Sequence, residues 1–185
     1  MLKRPTLGAD LRALRKTRGL TLTELASRIG KSVGWLSQVE RDLTRPATGD
    51  LECIADRLGV PLSLLTGPAP HAPDEHGRIV RASGRRRIGP MGGGLSEELL
   101  SPDLTDSFEM IRSTFAPGST SDGTLRRETQ EVGFMISGQL ALWIDGHTFT
   151  VGPGDSFRIR HQPFRWSNPF DDPAVAVWVI SPPVY

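Results

Sequence analysis

Leu20–Arg41, LTLTELASRIGKSVGWLSQVER, is the stretch on which the reading of this chain turns. Leu22, Leu25, Ala26 and Ile29 recur at the spacing that gathers side chains on one face of a helix. Thr21 stands in front with Glu24 three places on, the pattern of a capping box. Gly30 supplies the turn, and Ser32 is placed to cap a second helix whose buried side is Leu36 and Val39. A four-residue separation between two such helices gives a crossing that sets the second in the major groove of a duplex. A pair of this kind also occurs as plain core of a small helical domain, so its surroundings must decide.

Those surroundings are helical on both sides. Leu11 and Leu14 mark one face of a helix over residues 8–17, closed by Gly19. Residues 41–47 form a loop with Pro46 as its stop. A fourth helix over 49–58 turns Leu51, Ile54, Ala55 and Leu58 inward and ends at Gly59. Pro61 begins a short fifth helix carrying Leu62 and Leu65. Five helices within about 60 residues have enough apolar positions for one core.

Residues 67–77, GPAPHAPDEHG, are rich in proline and glycine without apolar periodicity, and read as a linker. Nothing around its His71 and His76 would fix the geometry of a metal site. The run Arg85–Arg87 is either a solvated edge or a secondary phosphate contact.

From residue 78 the period changes to two. Apolar segments alternate with polar residues over 95–100, 108–115, 132–136, 140–144, 149–151, 157–159 and 175–180. Turn signals such as Pro117-Gly118, Asp122-Gly123, Asp145-Gly146 and Gly152-Pro153-Gly154 separate them. Short strands at this spacing, with no helical crossover, specify an antiparallel sandwich or barrel.

Charge follows the same division. The chain of 185 residues carries a formal net charge of only +1. Residues 1–60 hold 11 Lys/Arg against 7 Asp/Glu, whereas residues 88–185 hold 6 against 12. A basic head and an acidic body assign polyanion contact to the N-terminal part. The single cysteine, Cys53, excludes an internal disulfide and lies in register with Ile54 and Leu58, as a buried thiol would. With neither a signal-peptide pattern nor a run of membrane-spanning length, the expected location is cytoplasmic, with no membrane partner.

Two resemblances follow from these residues. Residues 8–66 resemble the helix-turn-helix domain of the Xre/Cro-repressor family, through Leu20–Ile29, Gly30-Lys31-Ser32, Leu36–Arg41 and the stretch from Leu51 to Leu62. Residues 105–182 resemble a small cupin: Glu131 with Gly138 matches the first motif, and Gly152-Pro153-Gly154-Asp155 through Pro163 to Asn168 the second. Together they imply a two-domain regulator: an all-α, five-helix, lambda-repressor-like DNA-binding domain over 6–66, the linker 67–77, and an all-β cupin or jelly-roll barrel for sensing and dimerisation over 78–185.

Groove geometry then assigns Val33, Gly34, Ser37 and Gln38 to the bases, with Gln38 suited to adenine and Val33 to a thymine methyl. Backbone near Thr21 and Ser32 would approach phosphates, and Arg28, Lys31, Arg41 and Arg45 would supply charge. Trp35 either packs on the first helix or covers the sugar-phosphate backbone, and Glu40 is expected to partner an arginine. One such module binds weakly alone, so a homodimer on a palindromic double-stranded operator is expected.

The cupin resemblance implies metal positions at Leu125, Arg127, Glu131 and Phe164, of which only the glutamate can ligate a transition metal. No metal and no cofactor are expected. His161, three places before Phe164, is read as facing the opposite side of a strand, and His147 as part of the hairpin. Met110, Arg127, Glu131, Phe164, Trp166 and Trp178 are expected to line an effector pocket. Arg127 and Glu131 instead closing the barrel as an internal ion pair is the plain alternative, and a barrel serving only for dimerisation is another. The same layout resembles mononuclear iron epoxidases, an enzymatic alternative that Leu125, Arg127 and Phe164 oppose.

Overall fold

A computed structural model describes residues 6–66, 74, 75, 77–102, 104 and 106–184. These fall into two compact units, one taking in the residues up to 86 with 102 and 104, the other residues 87–101 and 106–184. The expected linker at 67–77 lies largely outside the described residues, as do His71 and His76.

The first unit holds five helices: α1 (Leu7–Thr17), α2 (Leu22–Arg28), α3 (Val33–Glu40), α4 (Thr48–Leu58) and α5 (Leu62–Thr66). Leu11, Leu14, Leu25, Leu36, Ile54, Leu58 and Leu64 are fully or almost fully buried and form its core. Burying side chains of this size stabilises by about 1.5–3 kcal/mol each before chain entropy is subtracted. In α5 the inward residues are Leu64 and Leu65, whereas the expected Leu62 is half-buried. Cys53 is half-buried too, on the flank of α4 instead of in the core. α1 and α3 approach so closely that a Cβ on Gly8 would lie 2.4 Å from the Val39 carbonyl oxygen.

The second unit is built from β1 (Arg86–Gly92), β2 (Leu95–Leu99), β3 (Glu109–Phe115), β4 (Gln130–Ser137), β5 (Leu140–Ile144), β6 (His147–Val151), β7 (Ser156–Arg160), β8 (Phe164–Ser167) and β9 (Ala174–Ser181). One sheet has the order β1-β2-β3-β9-β4-β7 and the other β6-β5-β8. Seven of these strands coincide with alternating segments in the sequence. β1 and β8 are missing from those segments: Gly89 and Pro90 obscure the first, and β8 is only four residues long, although the comparison of His161 with Phe164 already treats that stretch as strand. The β5–β6 turn takes Asp145 and Gly146 to φ 49° and 84°, the left-handed pair that an Asp-Gly hairpin requires. Phe115 and Trp166 meet edge to face at 4.7 Å, joining the inner faces of the two sheets.

Candidate DNA-reading helix and barrel cavity

α2 and α3 are set by local chemistry. The Thr21 backbone N–H donates to Glu24 Oε2 at 2.7 Å, and the Glu24 N–H returns to Thr21 Oγ1 at 3.1 Å. The backbone donor at Thr21 also holds the Glu24 carboxyl below its usual range. Ser32 Oγ accepts from the Trp35 N–H at 3.1 Å, which starts α3 at Val33. Gly30 adopts φ +66°, a conformation that costs a residue with a side chain roughly 1–2 kcal/mol.

A buried ion pair fixes α3 from behind. Arg15 Nε and Nη2 donate to Glu40 Oε1 and Oε2 at 2.6 and 2.9 Å, and Arg15 Nη1 donates to the Leu20 carbonyl at 2.7 Å. One guanidinium thus ties α1, the entry to α2 and the end of α3. Glu40 is the arginine partner that the sequence suggests.

The opposite side of α3 is open. Val33 is 41% exposed, Ser32, Gly34 and Gln38 are exposed, and Ser37 is half-buried. Gln38 Oε1 accepts from Thr44 Oγ1 at 3.0 Å, which orients the carboxamide. A Cβ on Gly34 would meet nothing closer than Ser32 Oγ at 4.0 Å, so its bare surface is not demanded by packing. Thr21, Arg28, Arg41 and Arg45 are exposed around this face. Lys31 is engaged otherwise: its Nζ lies 2.7 Å from Asp50 Oδ1 and 4.9 Å from the centre of the Trp35 ring. The lysine hydrogen bond lowers the Asp50 pKa. Trp35 is half-buried, between the two settings the sequence leaves open.

Inside the barrel lies a cavity of about 340 Å³. Arg127, Glu131, Phe164, Trp166 and Trp178 line it together. Met110 does not. It is 37% exposed on the outer face of β3, because Glu109 and Ile111 face inward and a strand alternates. Trp178 is positioned through Gly133, its neighbour across β4 and β9. A Cβ there would fall 2.2 Å from Phe157 Cζ, and the Phe157 ring packs edge to face on Trp178 at 4.9 Å. The buried Asn168 amide donates to the Phe115 and Asp172 carbonyls at 3.0 and 2.9 Å, pinning the end of β8.

The cavity also holds residues that the sequence reading missed: Glu97, Phe115, Ser121 and Asp122. Buried Glu109 stands beside Ile180 of the lining. Their common signal is an acid in phase with apolar inward positions: Glu97 with Leu95 and Leu99, Glu109 with Ile111 and Phe115. Glu97 Oε1 accepts from Ser113 Oγ at 2.8 Å, and Glu131 Oε1 from Thr129 Oγ1 at 2.7 Å. Arg127 Nη1 is 3.7 Å from Glu131 Oε2, with its guanidinium 6.0 Å from the Phe164 ring centre. Burial pushes the Glu97 carboxyl up, and pushes Glu109 up to about 7.

These residues do not fit a cupin transition metal. Leu125 and Phe164 are hydrogen-bonded to one another through their backbones at 2.8 and 2.9 Å and offer hydrocarbon to the cavity. Arg127 brings a fixed positive charge to the one remaining ligand. His161 is exposed, with Nδ1 3.4 Å from Glu128 Oε2, and His147 is exposed on the hairpin. His161 fails as a substitute for a reason other than strand parity: it sits between β7 and β8 at φ 55°.

Comparison with known proteins supports both halves. A helix-turn-helix domain family model matches residues 6–66, and a cupin domain model matches residues 111–180. The HTH-type transcriptional regulator PuuR of Escherichia coli is 26% identical over 156 residues, covering 83% of this chain and 82% of that protein. The transcriptional regulator ClgR of Mycobacterium tuberculosis is 33% identical over 82 residues, 44% of this chain and 73% of its own. An RmlC-like cupin from Shewanella frigidimarina superposes with a TM-score of 0.51 at 18% identity, over 57% of this chain and 91% of that one, a likeness of fold alone.

Proposed function

Because this chain belongs to the helix-turn-helix transcriptional regulators that carry a cupin domain, we propose that it binds a palindromic operator as a homodimer and responds to a small molecule held in the barrel. The observation that carries this reading is the pairing of an open α3 face, braced by Arg15–Glu40, with a lined cavity in the second unit. Val33, Gly34, Ser37 and Gln38 read base edges in the major groove; Thr21, Ser32, Arg28, Arg41 and Arg45 position the protein on phosphates. Lys31 joins them only if DNA competes successfully with Asp50.

The barrel acts as a sensor without metal or catalysis. An iron enzyme needs ligands that Leu125, Arg127 and Phe164 do not provide. An effector changes DNA binding only by favouring one arrangement of the molecule over another.

The outer face of the six-stranded sheet supports pairing with a second copy. Met110, Val179 and Val132 lie in one row across β3, β9 and β4, with Val177 and Phe134 in the next. Val132, Phe134, Ile136 and Val179 are all at least 40% exposed, a contiguous apolar strip of a kind that soluble monomers rarely leave open. A two-fold operator calls for an equally two-fold protein contact, which such a self-facing sheet provides.

Gel-shift titration of the full chain on genomic fragments, with and without small-metabolite extracts, tests the reading. A specific fragment whose affinity shifts with extract is expected. Equal weak binding to every fragment, unaffected by extract, would overturn it.

A further inference from the structure

We propose that Thr44, in the turn between α3 and α4, is a positioning residue for base readout: it holds the Gln38 carboxamide as a donor and so turns its preference from adenine to guanine. This rests on the groove reading above and names the base that Gln38 takes.

A carboxamide carries an acceptor and a donor side by side. With both free it pairs with adenine, accepting from the N6 amine and donating to N7. Gln38 does not have both free. Its Oε1 accepts from Thr44 Oγ1 at 3.0 Å, which directs the oxygen back towards the protein's own turn. Among the described residues no hydrogen bond engages Nε2, so its hydrogens are what the exposed side chain offers to a duplex. Gly34 stands one turn earlier on the same face of α3, where it brings no side chain to draw the carboxamide elsewhere.

Two hydrogens on one nitrogen match the neighbouring acceptors O6 and N7 of guanine. Adenine sets its own amine beside N7, so a donor meets a donor, and cytosine presents an amine as well.

The turn that carries Thr44 is braced. Asp42 takes φ 58°, a left-handed conformation that a residue with a side chain holds only where its surroundings demand it. Those surroundings are the start of α1: Asp42 Oδ1 accepts from the Gly8 N–H at 2.9 Å, and Oδ2 from the Thr6 hydroxyl. The Asp42 N–H donates to the Val39 carbonyl and the Leu43 N–H to the Gln38 carbonyl, each at 2.9 Å. Thr44 follows, half-buried, two places before buried Pro46. The hydroxyl therefore meets Gln38 from an anchored backbone, and the carboxamide is oriented before DNA arrives, which spares the cost of ordering it on binding.

Duplexes are selected from random DNA with the full chain, and the position whose preference vanishes in Gln38→Ala is the one Gln38 reads. There a G·C pair should bind about tenfold or more tightly than an A·T pair in either orientation, and 7-deazaguanine, which lacks the N7 acceptor, should lose most of that gain. Thr44→Val keeps the shape and removes the hydroxyl. It should narrow the gap to within about threefold without weakening the A·T duplex, whereas Thr44→Ser should preserve the gap. Thermal melts of both variants should match the parent. An A·T preference in the parent protein would overturn the inference. So would a Thr44→Val protein that keeps the full G·C preference, or that loses affinity for every duplex alike as a phosphate contact would. Each of these leaves α3 in the groove. If Gln38→Ala alters preference at no position, the groove register and this inference fall together.

Discussion

Arg15 and Glu40 stand 25 residues apart and meet in a bidentate pair, each almost completely buried. The charges satisfy one another and Arg15 also reaches the Leu20 carbonyl, so removing one partner strands the other in the helical core. Glu40→Ala should therefore destabilise the first unit by about 3–5 kcal/mol in urea unfolding, and Arg15→Met with Glu40→Leu should recover much of that loss. Glu109 works in the opposite sense. Its carboxyl is raised by burial from the ordinary 4.5 to about 7, so the folded state favours the protonated form. The stability it contributes is complete below about 4.5 and is lost as the pH rises through about 7. Thermal melts of the second unit in the intact chain should decline over that window, and Glu109→Gln should flatten the decline. Neither acid is remarkable as a letter in the sequence. Glu40 was legible because an arginine partner is the common fate of an acid at that point of the helix pair. Glu109 was not, because reading β3 from Phe108 and Met110 sets the inward phase one residue out.

At the scale of elements, the proposed reading gives specificity to α3 and affinity to its neighbours. Gln38, oriented by Thr44, is suited to read one base, whereas exposed Arg41 has only charge to offer. Gln38→Ala should relax preference at a single operator position at a cost of about 1–3 kcal/mol for the preferred base. Arg41→Ala should weaken all duplexes alike and lower the slope of log affinity against log salt by about one. Anisotropy titrations over a salt series separate the two. Gly34→Ala should stabilise α3 by up to about 0.5–1 kcal/mol, because nothing packs where the methyl would go. The helices were legible because caps, glycine turns and apolar phase agree at each boundary, down to the reciprocal Thr21–Glu24 bonds. β1 and β8 were not, since a strand of four residues or one broken by Gly89-Pro90 has too few alternations to register. The barrel site was half legible for the same reason: Arg127, Glu131 and Phe164 fall in motif positions, whereas Glu97 reaches the cavity through a β2–β3 pairing that only the assembled sheet defines, and Asp122 from outside the strands.

At the scale of the whole molecule, a single helical unit of this size supplies one α3, and a palindromic operator presents two half-sites. The apolar strip of Val132, Phe134, Ile136 and Val179 is the surface on which the second copy is expected. Phe134→Glu, 46% exposed in the single chain and so harmless to its folding, should shift sedimentation from dimer to monomer and weaken operator binding with it. The most direct trial of the account is selection of random duplex DNA by the full-length protein at physiological salt. The expected outcome is an enriched palindrome with half-sites about 10 base pairs apart, bound at least about 10³-fold more tightly than unselected DNA. Recovery of unenriched sequence, with every duplex held equally, would contradict the assignment of α3 to the groove.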